Sequence, residues 1–421
     1  MAQAARVPLL WPESWDSPRA VKLLDGSPVN HLISQDGLPT AVQAALPGRD
    51  LTTGAVKWQA WSEVDWSHGM FFAIGNGAWP GAAAGENRQE GGPTGSPWVD
   101  ANGWILQLAQ ARAPIGSEIW LNSEPPAEPR GVTTAHYLLA LSEAWAYGGR
   151  RPVWLTGDHA REALAGSGPG HEAWQAINAL LRWQLEHDSW RACRPVANLL
   201  VVSDFAGPNE FMAGEVLNLA ARQNIAFTPV ETARLAASTF TGRRAALYVD
   251  QQPPPAPTAA LLRQFVRNGG LLLAMKNTAD TIGQATGPSP DHPRFDIRRF
   301  GQGRIAVSKQ DYDDPWILAR DAHLLMSRRW DSIRLFNAGS LLAFHAAPPG
   351  GAWSVVHVLN YACRPSANLV SLQLPEGVGS AVLNRPGSKA APARLERRDN
   401  RTEIDIPPFP FYCALELKHA R

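Results

Sequence analysis

The chain has 421 residues, and its 39 Lys and Arg nearly cancel 38 Asp and Glu, leaving a net charge of +1. So even a balance gives no field that would gather nucleic acid or an anionic membrane surface, and a neutral or small polar partner fits better. Three cysteines, Cys193, Cys363 and Cys413, stand far apart without CxxC spacing, which argues against a disulfide framework and a cysteine zinc site.

At ~150 residues per domain, the length suggests two to four domains, each able to bury its own core. The first twenty residues lack an apolar core and carry early prolines, so no secretory signal is read there. No uninterrupted apolar run is long enough to span a bilayer, and the chain as given is expected in the cytoplasm. Tryptophan is over-represented, with 17 in the chain and 11 of them before residue 160. Indole faces stack on the C–H faces of sugar rings; a large core that uses Trp is the competing explanation.

From residue 29 to 190, short apolar runs alternate with segments of helical period, the signature of βαβ units and a parallel sheet. The expected strands are Val29–Ser34, Met70–Gly75, Glu118–Asn122 and Pro152–Thr156. The expected helices cover 37–46, 98–113, 133–147 and 171–187. Four units are half of what a (β/α) barrel of eight needs, so this part reads as a partial or irregular barrel.

After a break at Cys193–Pro195 the rhythm changes. Val196–Val202 is a nearly continuous apolar run, as a parallel strand covered on both faces should be. Further strands are expected at Ile225–Pro229, Ala245–Val249, Leu271–Met275 and Arg304–Ser308, with helices over Glu210–Gln223 and Pro257–Asn268. Thr278–Pro293 reads as a polar connection and Asp314–Arg329 as one helix. Short alternating strands from Ser332 to Leu417, separated by turn sequences such as Arg385-Pro386-Gly387 and Asp399-Asn400, then predict an antiparallel β-sandwich. The expected domains are 1–192, 193–310 and 311–421, the last with a leading helix.

The middle block, VANLLVVSDFAGPNEFMAGEVLNLAARQNIAFTPVE followed by RRAALYVDQQPPPAPTAALLRQFVRNGGLLLA, resembles a class I glutamine amidotransferase domain. With FGQGRIAVSKQDYDDPW, VVHVLNYACRP and IDIPPFPFYCALEL after it, the chain is similar to β-galactosidase-type glycoside hydrolases and their relatives. The resemblance implies a barrel, an amidotransferase-like α/β domain that often mediates oligomers, and a C-terminal β module. It also implies a carbohydrate substrate or ligand. Amidotransferase chemistry needs a cysteine on a tight strand-to-helix turn, yet after Val249 stands Asp250-Gln251-Gln252-Pro253, so glutamine hydrolysis is not expected.

Glycoside hydrolysis needs two carboxyl groups at the C-terminal ends of barrel strands. Glu124 ends the strand segment Glu118–Ser123, and the following Pro125 holds its backbone extended. The resemblance implies a nucleophile at this strand, with an exposed loop glutamate as the competing reading. Asp36, after Val29–Ser34, is a candidate acid or substrate ligand, and helix capping competes. Asn76 and Trp79 follow Met70–Gly75, with Trp79 the best stacking platform. Trp98 closes the glycine-rich stretch 81–97, and Asp158 and His159 follow the last strand; these complete the candidate substrate-binding set. Glu63, Asp65 and His68 precede a strand and are expected to be structural. Histidine spacing supports no metal, and no phosphate-loop lysine or GxGxxG is present, so neither metal nor cofactor is expected. The reading is a glycoside hydrolase acting by two carboxylates on an oligosaccharide or glycoconjugate. The alternative is a non-catalytic carbohydrate-binding or oligomeric scaffold derived from one.

Overall fold

The computed structural model describes residues 6–82, 98–126, 132–283, 292–365 and 369–419. In its N-terminal part the strands are short and parallel. Pro8–Leu10, His31–Ile33 and Thr52–Gly54 form one sheet, and Phe71–Ile74 pairs with Glu118–Leu121. Isolated parallel bridges, Leu9 to Val153, Trp120 to Arg150 and Gln59 to Ile74, connect the two sheets. The strands Pro8–Leu10 and Thr52–Gly54 have no counterpart in the sequence reading. Conversely, the strand expected at Pro152–Thr156 is reduced to bridges at Arg150 and Val153.

Alternate residues of these strands separate two environments, as the strand period requires. Ile33, Val56, Ala73 and Trp120, with Leu10, Trp58 and Phe71 against them, gather in one small cluster. Their neighbours Leu9, Leu32, Phe72, Ile74, Ile119 and Leu121 join the large core that contains the helices. The helices Gly103–Arg112, Thr134–Ala146 and Gly168–Glu186 fall where periodicity puts them, and a further helix, Gly157–Ala165, precedes the last. The helix expected over 37–46 is only Thr40–Gln43.

The middle sheet runs in the order Phe227–Glu231, Leu199–Ser203, Ala245–Tyr248, Leu271–Ala274, Gly303–Ser308, Phe295–Phe300. The first five are parallel and the last is antiparallel. Leu199, Val201 and Leu247 face the large core, whereas Leu200, Val202, Leu262 and Leu272 form a separate cluster on the other face. Burial on both faces explains the unbroken apolar runs. The expected polar connection after residue 278 instead begins within a helix, Lys276–Ile282. Asp314 caps the helix Pro315–Met326, accepting from Ile317 N at 3.0 Å; Leu318, Ala319 and Ala322 of this helix bury in the large core.

Asp250 occupies the turn where an amidotransferase-like domain would need its nucleophile. It is buried, bonded to the Ser203 hydroxyl and to the Asp204 backbone N–H, and burial pushes its carboxyl up to about 6. A carboxyl group that ties two strand ends together offers no thiol chemistry.

The C-terminal residues build two antiparallel sheets among the described residues, one of four strands and one of six to which Arg194–Pro195 contributes the sixth. Val370, Leu372, Ile404 and Ile406 of the first meet Val356, Val358, Leu415 and Leu417 of the second in one apolar cluster. Alternation in Trp353–Asn360 suggests one wet face. That strand is instead buried on both, because Val355, Leu359 and neighbouring aromatics pack on the N-terminal helices. Trp145 is the hinge of this contact, with its ring near those of Trp183, Trp190, His357 and Tyr412. Arg194–Pro195, expected as a break, adds to the edge of the six-stranded sheet beside Ala346 and Ala347. No helix among the described residues is long and apolar enough to cross a membrane.

Candidate functional site

The loops after the parallel N-terminal strands meet around Arg151. Its guanidinium donates to the Ser123 hydroxyl, lies 5.7 Å from the centre of the Trp79 ring and is 4.0 Å from a Glu143 oxygen. Ser123 also donates to Ala78 O at 3.0 Å, and the Gly77 N–H donates to Asn122 O at 3.3 Å, so the loops after Ile74 and Leu121 are stitched together. Asn102 fastens this junction from beneath. Its Nδ2 donates to Ala78 O at 2.9 Å and to Glu143 at 2.7 Å, while its Oδ1 accepts from Ala78 N at 2.7 Å.

Glu143 is wholly buried, and burial raises its carboxyl pKa against the opposing pull of Arg151 and the Asn102 and Tyr361 hydrogen bonds. The same burial, opposed by Glu143, brings Arg151 down to about 10. Arg151 is therefore a cation at neutral pH and Glu143 its partner in a dry site. This pair supports the rim from below.

Glu124 is exposed between buried Ser123 and buried Pro125, which fix the backbone on either side of it. Trp79 is half-buried and meets Tyr137 edge-on at 5.8 Å; Tyr137 in turn meets His159 at 5.3 Å. His159 Nδ1 and the Thr156 hydroxyl share a 2.7 Å hydrogen bond, and Tyr137 accepts from Thr156 N at 3.0 Å. Trp79, Tyr137 and His159 thus form one connected neighbourhood, and Glu124 is the next residue in the chain after Ser123, which Arg151 ties to that neighbourhood. Three buried polar atoms of that neighbourhood have no partner among the described residues: Trp79 Nε1, Asn122 Oδ1 and Arg151 Nε. An orphaned buried donor or acceptor costs ~1–3 kcal/mol, so such atoms mark where an added group would be welcome.

The other expected residues have different surroundings. Asn76 is exposed and its Oδ1 accepts from Trp61 N at 3.1 Å, fixing the preceding loop. Trp98 donates to Asp100 at 3.2 Å and carries the Arg222 guanidinium 3.5 Å above its ring, so that face is taken by the middle block. Asp158 sits in the first turn of the helix Gly157–Ala165 and pairs with Arg161; Thr156, not Asp158, is the N-cap. Asp36 is exposed after His31–Ile33, and the helix it was set against begins with Pro39 as N-cap and no side-chain cap. Asp65 and His68 form a local exposed pair, and Trp61 and Trp66 on either side are buried, consistent with a structural segment. The glycine-rich stretch 83–97 lies outside the described residues. No group of three or more His, Cys, Asp or Glu suited to a metal occurs among the described residues.

Sequence reasoning missed Arg151, Ser123, Asn122 and Tyr137. Tyr137 shares a helix face with Leu141 and Trp145 at 3.6-residue spacing, a core signal that hides its second role as a spacer between Trp79 and His159. Arg151 follows Arg150 at a helix-to-strand junction, where adjacent basic residues read as a solvated face.

Neither a protein-family model nor a curated protein sequence matches the chain. Among solved structures it is similar to the rhamnosidase from Novosphingobium sp. PP1Y, with TM-score 0.52 and 12% identity over 79% of this chain and 34% of that one. It is also similar to alpha-L-fucosidase isoenzyme 2 from Paenibacillus thiaminolyticus (TM-score 0.48, 10% identity, 76% and 62% covered). A catalytic mutant of a GH42 beta-galactosidase from G. stearothermophilus gives TM-score 0.49 and 9% identity, with 75% and 56% covered. The chain spans less than two thirds of each of these proteins. At such identities the likeness is one of fold, carried by the first comparison, and the chain has a glycoside hydrolase-like fold.

Proposed function

We propose that the chain handles carbohydrate at the rim formed by the loops after Ile74, Leu121 and Val153, and that it does so as a glycoside hydrolase using two carboxylates. The observation that carries this reading is that Trp79, Ser123 and Arg151 meet at the C-terminal ends of parallel strands, where Trp79 Nε1, Asn122 Oδ1 and Arg151 Nε have no partner among the described residues. That is where barrel enzymes place their chemistry. The pairings support a reduced barrel. Taken in order, Pro8–Leu10, His31–Ile33, the 52–59 segment, Phe71–Ile74, Glu118–Leu121 and the 150–153 segment each neighbour the next, and the last returns to the first. The small cluster of Leu10, Ile33, Val56, Ala73 and Trp120 is then its filled interior. An unpaired half-barrel with two open edges is thereby avoided.

In this reading Trp79 offers a stacking edge, His159 and Asn122 contact hydroxyls, Glu124 is the attacking carboxylate and Asp36 the second acid. We further propose the domain division 1–192, 193–310 and 311–421, with the last two domains packed as accessory α/β and β-sandwich modules that suit a homo-oligomer. A second reading, carbohydrate binding without hydrolysis, is favoured by one observation. Asp36 and Glu124 leave strands that are three positions apart in the pairing order in either direction, across the mouth rather than side by side. Retaining hydrolysis needs carboxyl groups ~5–5.5 Å apart and inverting hydrolysis ~6.5–9.5 Å, and a pair held farther apart than this by opposed strands would bind a sugar without cleaving it.

The two readings part on a panel of aryl glycosides. The enzyme reading expects at least one to be cleaved, with kcat lowered ~100-fold or more in Glu124→Gln and in Asp36→Asn. Cleavage unchanged in Glu124→Gln removes that residue from the mechanism. No cleavage by the wild type, with oligosaccharide still bound, leaves the binding reading.

A further inference from the structure

At the opposite, N-terminal ends of the parallel strands lies a cavity of about 620 Å³ that the carbohydrate reading does not use. Its wall carries four guanidinium groups, Arg6, Arg150, Arg191 and Arg194, against two carboxylates, Glu118 and Asp188. Arg6 and Glu118 satisfy each other at 2.6 Å. Of the other three arginines, two share Asp188. Arg150 donates to it at 2.9 Å and Arg191 at 3.3 Å, both to the same oxygen, and Arg194 has only the neutral Gln110 Oε1 at 3.4 Å and Cys193 O at 3.5 Å.

This imbalance is built into the fold. Arg150 is buried because its segment bridges Trp120, and its guanidinium is held down to about 10, first by burial and then by the charge of Arg191. It remains protonated at neutral pH. Arg191 donates to Gly148 O at 3.2 Å, and its Nε is buried with no partner among the described residues. Two like charges converge on one oxygen while a third has no carboxylate partner among the described residues, an arrangement that an oxyanion would stabilise. Guanidinium groups offer paired N–H donors that match tetrahedral oxyanions, and the volume lies within the ~300–1,000 Å³ of small-molecule sites.

We propose that this cavity binds a phosphate- or sulfate-class oxyanion, free or as the ester of a small molecule, through Arg150, Arg191 and Arg194. The site lies at the far end of the strands from Glu124 and stands whether or not the carbohydrate reading does.

The test is isothermal titration calorimetry of the whole chain with inorganic phosphate, sulfate and glucose 6-phosphate, each against sodium chloride of matched ionic strength. Saturable binding of one oxyanion per chain is expected in the wild type, weakened at least tenfold in Arg194→Gln. Arg194 is exposed and makes no ion pair, so this variant should fold, and an unchanged melt without ligand checks that it does. Arg191→Lys, which keeps the charge and loses the fork, should weaken binding as well. Tighter binding of glucose 6-phosphate identifies an ester as the ligand, and equal binding identifies the free ion. Heats indistinguishable from the chloride control, or an Arg194→Gln variant that binds as tightly as the wild type, overturn the proposal.

Discussion

Replacing Glu143 by alanine is expected to destabilise the fold by about 3–5 kcal/mol, the cost of leaving a buried partner charge uncompensated. Glu143 is 0% exposed and receives Asn102 N at 2.7 Å, Asn102 Nδ2 at 2.7 Å and the Tyr361 hydroxyl at 2.7 Å, with Arg151 at 4.0 Å. Its loss strands three donors and the Arg151 cation in a fully buried site. Tyr361 follows the strand Trp353–Asn360, so the same carboxylate joins the N-terminal helices to the C-terminal sheets. Urea unfolding at neutral pH measures the loss. The double variant Glu143→Leu with Arg151→Met should recover a large share of it, since removing both charges abolishes the desolvation cost that removing one exposes. A loss below ~1 kcal/mol in Glu143→Ala would mean that water reaches the pair and that it behaves as a surface ion pair.

The second large effect is a loss of stability in mild acid. His345 and His357 are buried in the six-stranded sheet; burial first, with a lesser push from His419 on His345 and from His345 on His357, lowers them to about 4 and about 3. A histidine whose folded pKa lies below its unfolded value of ~6.5 takes up its proton only in the unfolded chain between those values. Stability is therefore intact above about pH 6.5 and falls as the pH drops toward 4. Each imidazole contributes ~1.4 kcal/mol per pH unit, so the pair removes roughly 3 kcal/mol per unit. Asp250 works in the opposite direction: its raised pKa of about 6 makes the folded state the better proton acceptor, so its penalty shrinks as pH falls through that range. A variant comparison separates the two. The stability of the wild type minus that of His345→Gln/His357→Gln should fall steadily from pH ~6.5 to ~4.5, and a constant difference would show that neither imidazole is held neutral.

Among the N-terminal helices, Thr134–Ala146 was the most legible: the spacing of Tyr137, Leu141, Ala144 and Trp145 is enough to place it within a residue at either end, whereas the four-residue Thr40–Gln43 and the polar Gly157–Ala165 carry too little apolar pattern to be placed so closely. The strands Pro8–Leu10 and Thr52–Gly54 were not legible, since three residues hold less than two periods of alternation and propensity alone cannot mark them. Missing them turned a succession of neighbouring strands into half a barrel. The five parallel strands of the middle sheet were readable from their apolar runs, yet the antiparallel Phe295–Phe300 escaped because Asp296, Arg298 and Arg299 interrupt its apolar pattern.

The candidate rim divides in the same way. Glu124 and Trp79 follow directly from their positions at strand ends. Arg151 and Asn102 do not, because their roles come from packing between segments far apart in the chain. Trp98 shows the limit most plainly: its aromatic face looks available until Arg222, a residue of another block, lies across it.

The claim that joins these observations is that a sugar occupies the rim between Trp79 and Glu124. A crystal structure of the Glu124→Gln variant soaked with an oligosaccharide tests it most directly. The expected result is a pyranose ring against Trp79, a sugar oxygen within hydrogen-bond distance of the residue 124 amide, and partners supplied to Trp79 Nε1 and Asn122 Oδ1. Sugar bound only elsewhere on the molecule, with those two atoms still unpartnered, would contradict it.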